Sequence, residues 1–191
     1  MEKQKQVIAI VFSDLHLNIY AKFNEDNERT LNHFRVLSTI LGLCKKYNCP
    51  ALFCGDLCHR AKSMYQELYE ICYREFNKLG NLNILAISGN HDIKKVSKIG
   101  MPPFSWLYLV ERYGLKILDY GKTPLSLTHR DIMVYGLPYI DNNIGLSDHL
   151  KKIELDKHKK NILLLHTDYP GAKDTDGREI NSVENLNVNI L

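Results

Sequence analysis

The stretch that decides the fold reads Ala51-Leu52-Phe53-Cys54-Gly55-Asp56-Leu57-Cys58-His59. Its first four residues are apolar, as in a buried strand, and the Gly-Asp pair that follows predicts a tight turn. Two other stretches share this plan: residues 7–12 lead into Asp14-Leu15-His16, and residues 84–87 lead into Gly89-Asn90-His91-Asp92. Three predicted strands therefore end in carboxylate, amide or imidazole side chains.

The segments between these strands have the pattern of amphipathic helices. Residues 28–47 place apolar side chains every three or four positions, and residues 64–79 do the same before Gly80. Strands that alternate with helices predict βαβ units and a mostly parallel sheet. Because ligands of such sheets bind at the carboxyl ends of the strands, the three motifs fall where a site is expected.

The second half of the chain predicts a smaller, partly antiparallel sheet and two more helices. The strand candidates are residues 116–118, 125–128, 132–135 and 161–165, and the helix candidates are residues 104–113 and 146–158. The last of these strands again ends in a ligand type, because His166 follows it directly.

Composition sets broad limits on the class of protein. The 191 residues are 45% hydrophobic and 25% charged, which suits one globular domain with a substantial core. The formal net charge of +3 permits a nucleic-acid partner without requiring one. No apolar run approaches the roughly 20 residues of a membrane span. The five cysteines lack the paired spacing of a zinc site, so we expect reduced thiols and a cytoplasmic protein.

The side chains at the strand ends are those that bind divalent metal ions. Carboxylates, imidazoles and amide oxygens suit manganese, iron or zinc. Two such ions about 3.5–4 Å apart can share a bridging carboxylate and a hydroxide that attacks phosphorus. His91 is the natural proton donor, and Asp92 beside it is expected to orient the imidazole and raise its basicity. Taken singly, the Asp-x-His and Gly-Asp motifs are more often ordinary turn chemistry, and His166 alone is more often a structural histidine. The Gly-Asn-His-Asp motif is more specific, although its Asn and Asp are also common in turns.

The ordered set of motifs resembles that of the calcineurin-like metallophosphoesterase superfamily. Asp14-x-His16, Gly55-Asp56, Gly89-Asn90-His91-Asp92 and the isolated His166 occur in the superfamily's order, and the resemblance covers essentially the whole chain. It implies a hydrolase with an α/β fold, in which a β-sandwich and flanking helices form four αββα layers.

Within the superfamily, the second motif is most similar to that of the SbcD-type DNA double-strand-break repair nucleases. Residues 55–63 resemble their Gly-Asp-Leu-Phe-His-x-x-Lys-Pro-Ser stretch. The departures are Cys58 in place of the phenylalanine and Met64 where variants carry further small residues or proline. The resemblance implies an exonuclease or endonuclease of DNA repair or recombination, a kind of enzyme that many phages also encode.

The resemblance also implies a role for each motif residue. Asp14 and His16 would bind the first metal ion, Asn90 and His166 the second, and Asp56 both. His91 would assist as proton donor with Asp92 as its partner, and His59 would help to hold the scissile phosphate. The implied cofactors are two divalent ions, with Mn²⁺ as the usual metal of the group and Fe²⁺, Zn²⁺ or Mg²⁺ as alternatives.

Basic residues beside the second and third motifs are candidates for phosphate contacts. They are Arg60 and Lys62 after the second motif and Lys94, Lys95 and Lys98 after the third. A solvated basic loop explains them equally well. The resemblance implies DNA as substrate and an SbcC-like coiled-coil ATPase subunit as partner.

One motif of the superfamily, a closing Gly-His-x-His, has no match after His166. We therefore expect one metallophosphoesterase domain over residues 1–191 that is C-terminally incomplete. It would be a fragment of a longer protein, half of a split domain whose second polypeptide supplies the missing histidines, or a natural short variant.

Three functions follow from these observations. The first is hydrolysis of phosphodiester bonds in DNA by a hydroxide bound to the two metal ions. The second keeps the metal chemistry but acts on small phosphoesters or nucleotides. The third is a catalytically incomplete subunit or DNA-binding module.

Overall fold

The computed structural model describes residues 6–19, 28–59, 66–78, 83–94, 104–105, 111, 115–119, 125–127, 131–140, 146–167 and 176–178. Within them the chain forms nine strands and three helices. The elements are, in chain order, β1 (Ile10–Phe12), α1 (Glu28–Tyr47), β2 (Ala51–Phe53), α2 (Gln66–Asn77), β3 (Ile84–Ala86), β4 (Ile93–Lys94), β5 (Phe104–Ser105), β6 (Leu115–Ile117), β7 (Leu125–Leu127), β8 (Ile132–Leu137), α3 (Leu146–Lys151) and β9 (Lys160–Leu165).

The first sheet contains four parallel strands in the order β1-β2-β3-β6. The three predicted strands that precede the motifs are confirmed as its neighbours. The prediction that residues 116–118 join the second sheet is wrong, because Leu115 pairs with Ile84 at the edge of the first sheet. Leu115 and Ile117 are buried there against the core beneath the helices. A short apolar run predicts a strand but cannot specify its partner.

The second sheet has the order β7-β8-β9, and its mixed pairing confirms the partly antiparallel prediction. Strand β7 runs antiparallel to β8, whereas β9 runs parallel to it over six residues. A separate two-stranded ladder pairs β4 with β5.

Three hydrophobic clusters separate four layers, and they confirm the expected αββα architecture. Helices α1 and α2 cover one face of the first sheet through side chains such as Phe34, Leu37 and Phe76. The other face packs against the second sheet, where Leu52 and Leu85 share a cluster with Val134 and Leu164. On the far side of the second sheet, Leu150 of α3 packs with Leu163 and Leu165 of β9 against the buried pair Leu137 and Ile140.

Gly136 of β8 lets the two sheets approach closely. A β-carbon built there would lie 2.4 Å from Leu118 Cβ and 2.7 Å from Ile87 Cγ2, distances too short for any side chain. Because β3 and β9 both end beside this contact, it helps to fix the distance between their carboxyl ends.

The helices differ in how well the sequence predicts them. Helix α1 has the predicted bounds and ends in a Schellman motif, in which Asn48 adopts φ 47° and Cys49 N donates to the Cys44 carbonyl. Helix α2 is confirmed over residues 66–77, and residues 64, 65 and 79 lie outside the described part.

Two helix predictions are wrong in extent. The helix predicted over residues 146–158 ends at Lys151, and the segment after it is held by the Asp156 N–H, which donates to Tyr135 Oη at 2.8 Å. The helix predicted over residues 104–113 is contradicted at Phe104–Ser105, which pairs as a strand with Ile93–Lys94. Of residues 106–113 the structure describes Glu111 alone. In both cases tertiary contacts override the local pattern.

All five cysteines are free thiols, as predicted, and all except the half-buried Cys54 are buried. Burial raises the pKa of Cys44 to about 11 and that of Cys72 to about 12, so these thiols are poor nucleophiles. Among the described residues, no helix combines the length and the apolar character needed to cross a membrane.

Candidate dinuclear metal centre

The loops that follow β1 and β2 run side by side and carry the first three predicted ligands. Asp14 N donates to the Gly55 carbonyl at 3.0 Å, and His16 N donates to the Asp56 carbonyl at 3.1 Å. Asp14, His16 and Asp56 have φ values of 56°, 44° and 61°. L-residues rarely adopt this left-handed conformation, which costs roughly 1–2 kcal/mol at each position. The strained backbone is concentrated at the ligands, as is common at functional sites.

Asp56 lies at the centre of the donor cluster and is only 2% exposed. Its Oδ1 accepts a hydrogen bond from the His91 backbone N–H at 2.8 Å. Its Oδ2 lies 3.8 Å from His16 Nε2 and 3.6 Å from His166 Nε2. One oxygen therefore fixes the carboxylate, and the other faces an imidazole on each side.

His166 and Asn90 converge on the second side of Asp56. His166 Nδ1 lies 2.7 Å from the Cys54 carbonyl oxygen, and since a carbonyl can only accept, Nδ1 carries the proton. The lone pair of a neutral His166 is then on Nε2, which lies 3.0 Å from Asn90 Oδ1. At this distance the two atoms could both bind one metal cation.

Three histidines lie together on the other side. The His16 and His91 rings meet edge to face with centroids 4.7 Å apart, and the His59 and His91 rings stack at 5.6 Å. His91 Nδ1 lies 2.6 Å from the His59 carbonyl oxygen and must donate to it. This leaves His91 Nε2 as the nitrogen that can exchange a proton with a substrate.

The structure contradicts the predicted partnership between Asp92 and the His91 imidazole. The Asp92 carboxylate is fully buried and accepts four backbone N–H groups instead, from Asp56, Leu57, Cys58 and Gly89 at 2.7–3.4 Å. The turn over residues 89–92 carries the two side chains away from each other, so the His59 carbonyl occupies the place expected for Asp92. Asp92 therefore holds the loop after β2 against the turn after β3.

Burial is the main influence on the protonation of Asp92 and raises its pKa to about 7. The charge of Asp56 acts in the same direction, and the hydrogen bonds from the backbone N–H groups act against both. The carboxylate thus joins the loop after β2 to the loop after β3 inside a nearly dry environment.

Gly55 and Gly89 are required because the loops touch at these positions. A β-carbon at Gly89 would lie 2.0 Å from Asp56 Oδ1. A β-carbon at Gly55 would lie 2.7 Å from His166 Nδ1, and the φ of 98° there already disfavours other residues. The two glycines therefore allow the backbone to approach the ligands.

A third buried aspartate, Asp119, supports the start of the loop after β3. Asp119, which follows β6, accepts hydrogen bonds from Ser88 N at 2.9 Å and from Ser88 Oγ at 2.5 Å. Ser88 directly precedes Gly89, so this pair fixes the point at which β3 gives way to the Gly-Asn-His-Asp turn. Neither residue is part of the sequence prediction.

Two clefts open from the donor cluster and share Asp14. The larger, about 590 Å³, is lined on the imidazole side by His16, His59 and His91 and on the helix side by Arg29, His33 and Val36, with Leu15 between them. The smaller, about 350 Å³, lies beside His166 and Asn90 and is lined also by Tyr139, Ser13, Cys54, Leu165 and Thr167.

The predicted phosphate contacts lie in segments beside the second and third motifs. Arg60, Lys62, Lys95 and Lys98 lie outside the described residues, and Lys94 is described only as part of β4. Sequence reasoning missed Arg29 and His33, which line the larger cleft. The signal that could have identified them is their spacing of four residues, which places both side chains on the same polar side of α1.

The donor set fits a pair of divalent ions. Asp14 Oδ1 lies 3.6 Å from His16 Nε2, and the donor atoms of Asp14, Asp56 and His166 all lie within 4.8 Å of one another. Two ligands bound about 2.1 Å from one ion lie roughly 3–4 Å apart. All five predicted metal ligands are thus brought together, and four of the distances between them lie in this range.

The chain is similar in sequence to known proteins. A family model described as calcineurin-like phosphoesterase matches residues 9–191. The chain is 33% identical over 90 residues to the DNA double-strand break repair protein Mre11 of Methanococcus maripaludis, a match that covers 45% of this chain and 23% of that protein.

Among solved structures, the chain resembles the nuclease MPE of Pseudomonas putida. The TM-score is 0.40 and the sequence identity 18%, over 69% of this chain and 55% of the other. The chain thus spans about a quarter of the curated relative and about half of the solved structure.

Proposed function

Because the chain belongs to the calcineurin-like phosphoesterase family and is therefore a phosphoester hydrolase, we propose that it is a metal-dependent phosphodiesterase that acts on DNA. The observation that carries the proposal is the position of Asp56, with one carboxylate oxygen shared between His16 on one side and His166 on the other. Such a shared oxygen suits two metal ions held side by side.

The proposed ligands divide about Asp56. Asp14 and His16 would hold one ion, Asn90 and His166 the other, and Asp56 both. When bound, two divalent ions supply Lewis-acid activation of a water molecule and neutralise the charge of the phosphate. We propose manganese as the working metal, since mixed oxygen and imidazole donors suit it.

The chain's own residues supply the remaining functions. His91 is held by the His59 carbonyl so that its Nε2 is the proton-exchanging atom. In this proposal the doubly protonated His91 gives its Nε2 proton to the leaving oxygen and keeps its Nδ1 proton on the His59 carbonyl. The His59 ring, stacked on that of His91, helps to hold the scissile phosphate. Asp92 and Asp119 keep the loops in place without contacting the substrate.

The choice of DNA rests on two likenesses. The sequence around Asp56 and His59 resembles the second motif of the DNA repair nucleases. The relative with 33% identity over 90 residues is itself a DNA double-strand break repair protein.

The test is hydrolysis of DNA and of bis-p-nitrophenyl phosphate with added Mn²⁺, by the unaltered chain and by Asp56→Asn. We expect the variant to lose activity more than about 100-fold, because loss of a bridging ligand exceeds the roughly 10–100-fold effect of losing a supporting group. Asp148→Asn, an exposed carboxylate on α3, is the matched control and should retain activity.

The outcomes separate the parts of the proposal. Full activity in Asp56→Asn would refute the metal mechanism. Turnover of the small diester without cleavage of DNA would keep the mechanism and refute the substrate.

A further inference from the structure

We propose that one face of α1 forms a binding subsite for the part of a polynucleotide strand next to the scissile phosphate, with Arg29 contacting the flanking phosphate. The inference rests on the proposed function and specifies how the substrate is held. Arg29, His33 and Val36 lie at helical spacings of four and three and line the same cleft. They therefore form a single surface along the helix.

This surface opens directly onto the reactive groups. The cleft that contains Arg29 and His33 is also lined by His16, a proposed ligand, and by His91, the proposed proton donor. A phosphodiester held at the metal centre has two organic substituents. In the proposed mechanism the leaving oxygen lies beside His91, so the substituent that it carries would extend into the α1 cleft, which His91 also lines.

The size of the cleft suits more than a bare phosphate. At about 590 Å³ it falls within the roughly 300–1,000 Å³ range of small-molecule pockets. Leu15 and Val36 give the lining an apolar part, and the Val36 side chain is 50% exposed. An apolar wall beside a guanidinium matches a nucleoside joined to a phosphate.

The charges of the cleft favour an anion. Of the described residues that line it, Asp14 is the sole carboxylate, and its charge would be taken up by the metal. The remaining polar lining comes from Arg29 and four histidines. Arginine forms paired hydrogen bonds with phosphate oxygens and remains charged at any physiological pH.

The first experiment measures binding without requiring turnover. Fluorescence anisotropy follows a labelled single-stranded oligonucleotide across a range of salt concentrations, with Ca²⁺ in place of Mn²⁺. Each phosphate contact contributes about −0.7 to the slope of log K against log salt for single strands. We expect Arg29→Ala to lower the magnitude of this slope by about 0.7, and His33→Ala to weaken binding about three-fold.

Arg35→Ala is the matched control. Arg35 lies on the same helix, donates to Asn32 Oδ1 at 2.8 Å and is exposed outside the cleft. The substitution Arg35→Ala removes the same charge as Arg29→Ala. Its slope of log K against log salt should nevertheless equal that of the unaltered chain. Equal slopes for Arg29→Ala and Arg35→Ala would overturn the proposal. Circular dichroism of both variants verifies that α1 is intact.

The second experiment compares two substrates with Mn²⁺. A single-stranded oligonucleotide has flanking phosphates, and bis-p-nitrophenyl phosphate has none. We expect Arg29→Ala to reduce kcat/KM at least about ten-fold more for the oligonucleotide than for the small diester. An equal loss on both would show that Arg29 acts on the centre itself and would overturn the subsite. If the unaltered chain does not cleave DNA, the proposed function fails, and the anisotropy result still decides the subsite.

Discussion

Asp56 on the loop after β2 and Asp92 on the turn after β3 are both buried, but they have different roles. Asp56 is 2% exposed and leaves one carboxylate oxygen facing two imidazoles. Asp92 is fully buried, and its two oxygens together accept four backbone N–H groups. The comparison teaches that a buried carboxylate is available for chemistry only where an oxygen is not saturated by the backbone. The roles of Asp56 and Asp92 therefore depend on the hydrogen-bond partners of each carboxylate and not on how deeply it is buried.

The largest expected effect is on stability, from Asp92→Ala. The substitution leaves four backbone N–H groups of two loops without their acceptor in a buried place, which should cost about 3–5 kcal/mol of unfolding free energy. Urea denaturation of the metal-free protein measures it. Asp148→Ala removes an exposed carboxylate and should cost less than about 0.5 kcal/mol. A loss below about 1 kcal/mol for Asp92→Ala would erase the distinction between the two aspartates.

The next effect concerns metal binding by Asp56. Saturation of the unaltered chain with Mn²⁺ at 100 times its Kd should raise the unfolding free energy by about 2.7 kcal/mol, and removal with EDTA should reverse this. Asp56→Asn should lose most of that gain, whereas Asp148→Asn should keep it. Equal gains in both variants would show that Asp56 is not a ligand.

Without metal, Asp56→Asn should be at least as stable as the unaltered chain. The amide oxygen can still accept from His91 N–H, and the amide N–H₂ can donate to the imidazoles of His16 and His166. The substitution also removes a like charge near Asp92. A destabilised metal-free variant would mean that Asp56, like Asp92, mainly supports the fold.

The smallest effect is expected from Gly89→Ala, which tests the contact between the loop that carries Asp56 and the turn that carries Asp92. The added β-carbon would lie 2.0 Å from Asp56 Oδ1, while Gly89 N donates to Asp92 Oδ2, so the substitution disturbs both aspartates. We expect a loss of about 1–3 kcal/mol together with a weaker gain from Mn²⁺.

Gly42→Ala is the control for this prediction, since nothing lies within 4 Å of its β-carbon inside α1. It should raise stability by up to about 1 kcal/mol. Gly89→Ala with an unchanged response to Mn²⁺ would show that the loops adjust independently of each other.

Much of the site could be predicted because its signals are local. The apolar run at residues 51–54 and the Gly-Asp that follows identify a strand and its turn, and the same holds for the first and third motifs. His166 follows another apolar strand, so its position at the carboxyl end of a strand could also be predicted. Parallel pairing then brings the ends of β1, β2 and β3 together, because their register is set by the buried side chains.

The particular partners that side chains find in distant segments could not be predicted. Asp92 is next to His91 in the chain, yet its carboxylate contacts the backbone of residues 56–58, which lie 34–36 positions earlier. Likewise Arg29 reaches the cleft of His16 only because α1 packs over the first sheet.

The sequence by itself determined the strands, their turns and the kinds of side chain that each turn presents. The tertiary structure alone decided that β6 joins the first sheet, that Asp92 supports the loops, and that α1 lines the cleft. The physical reason is that hydrophobic period and turn chemistry act over a few residues, whereas hydrogen-bond partners and cleft walls depend on which segments meet after the core has packed.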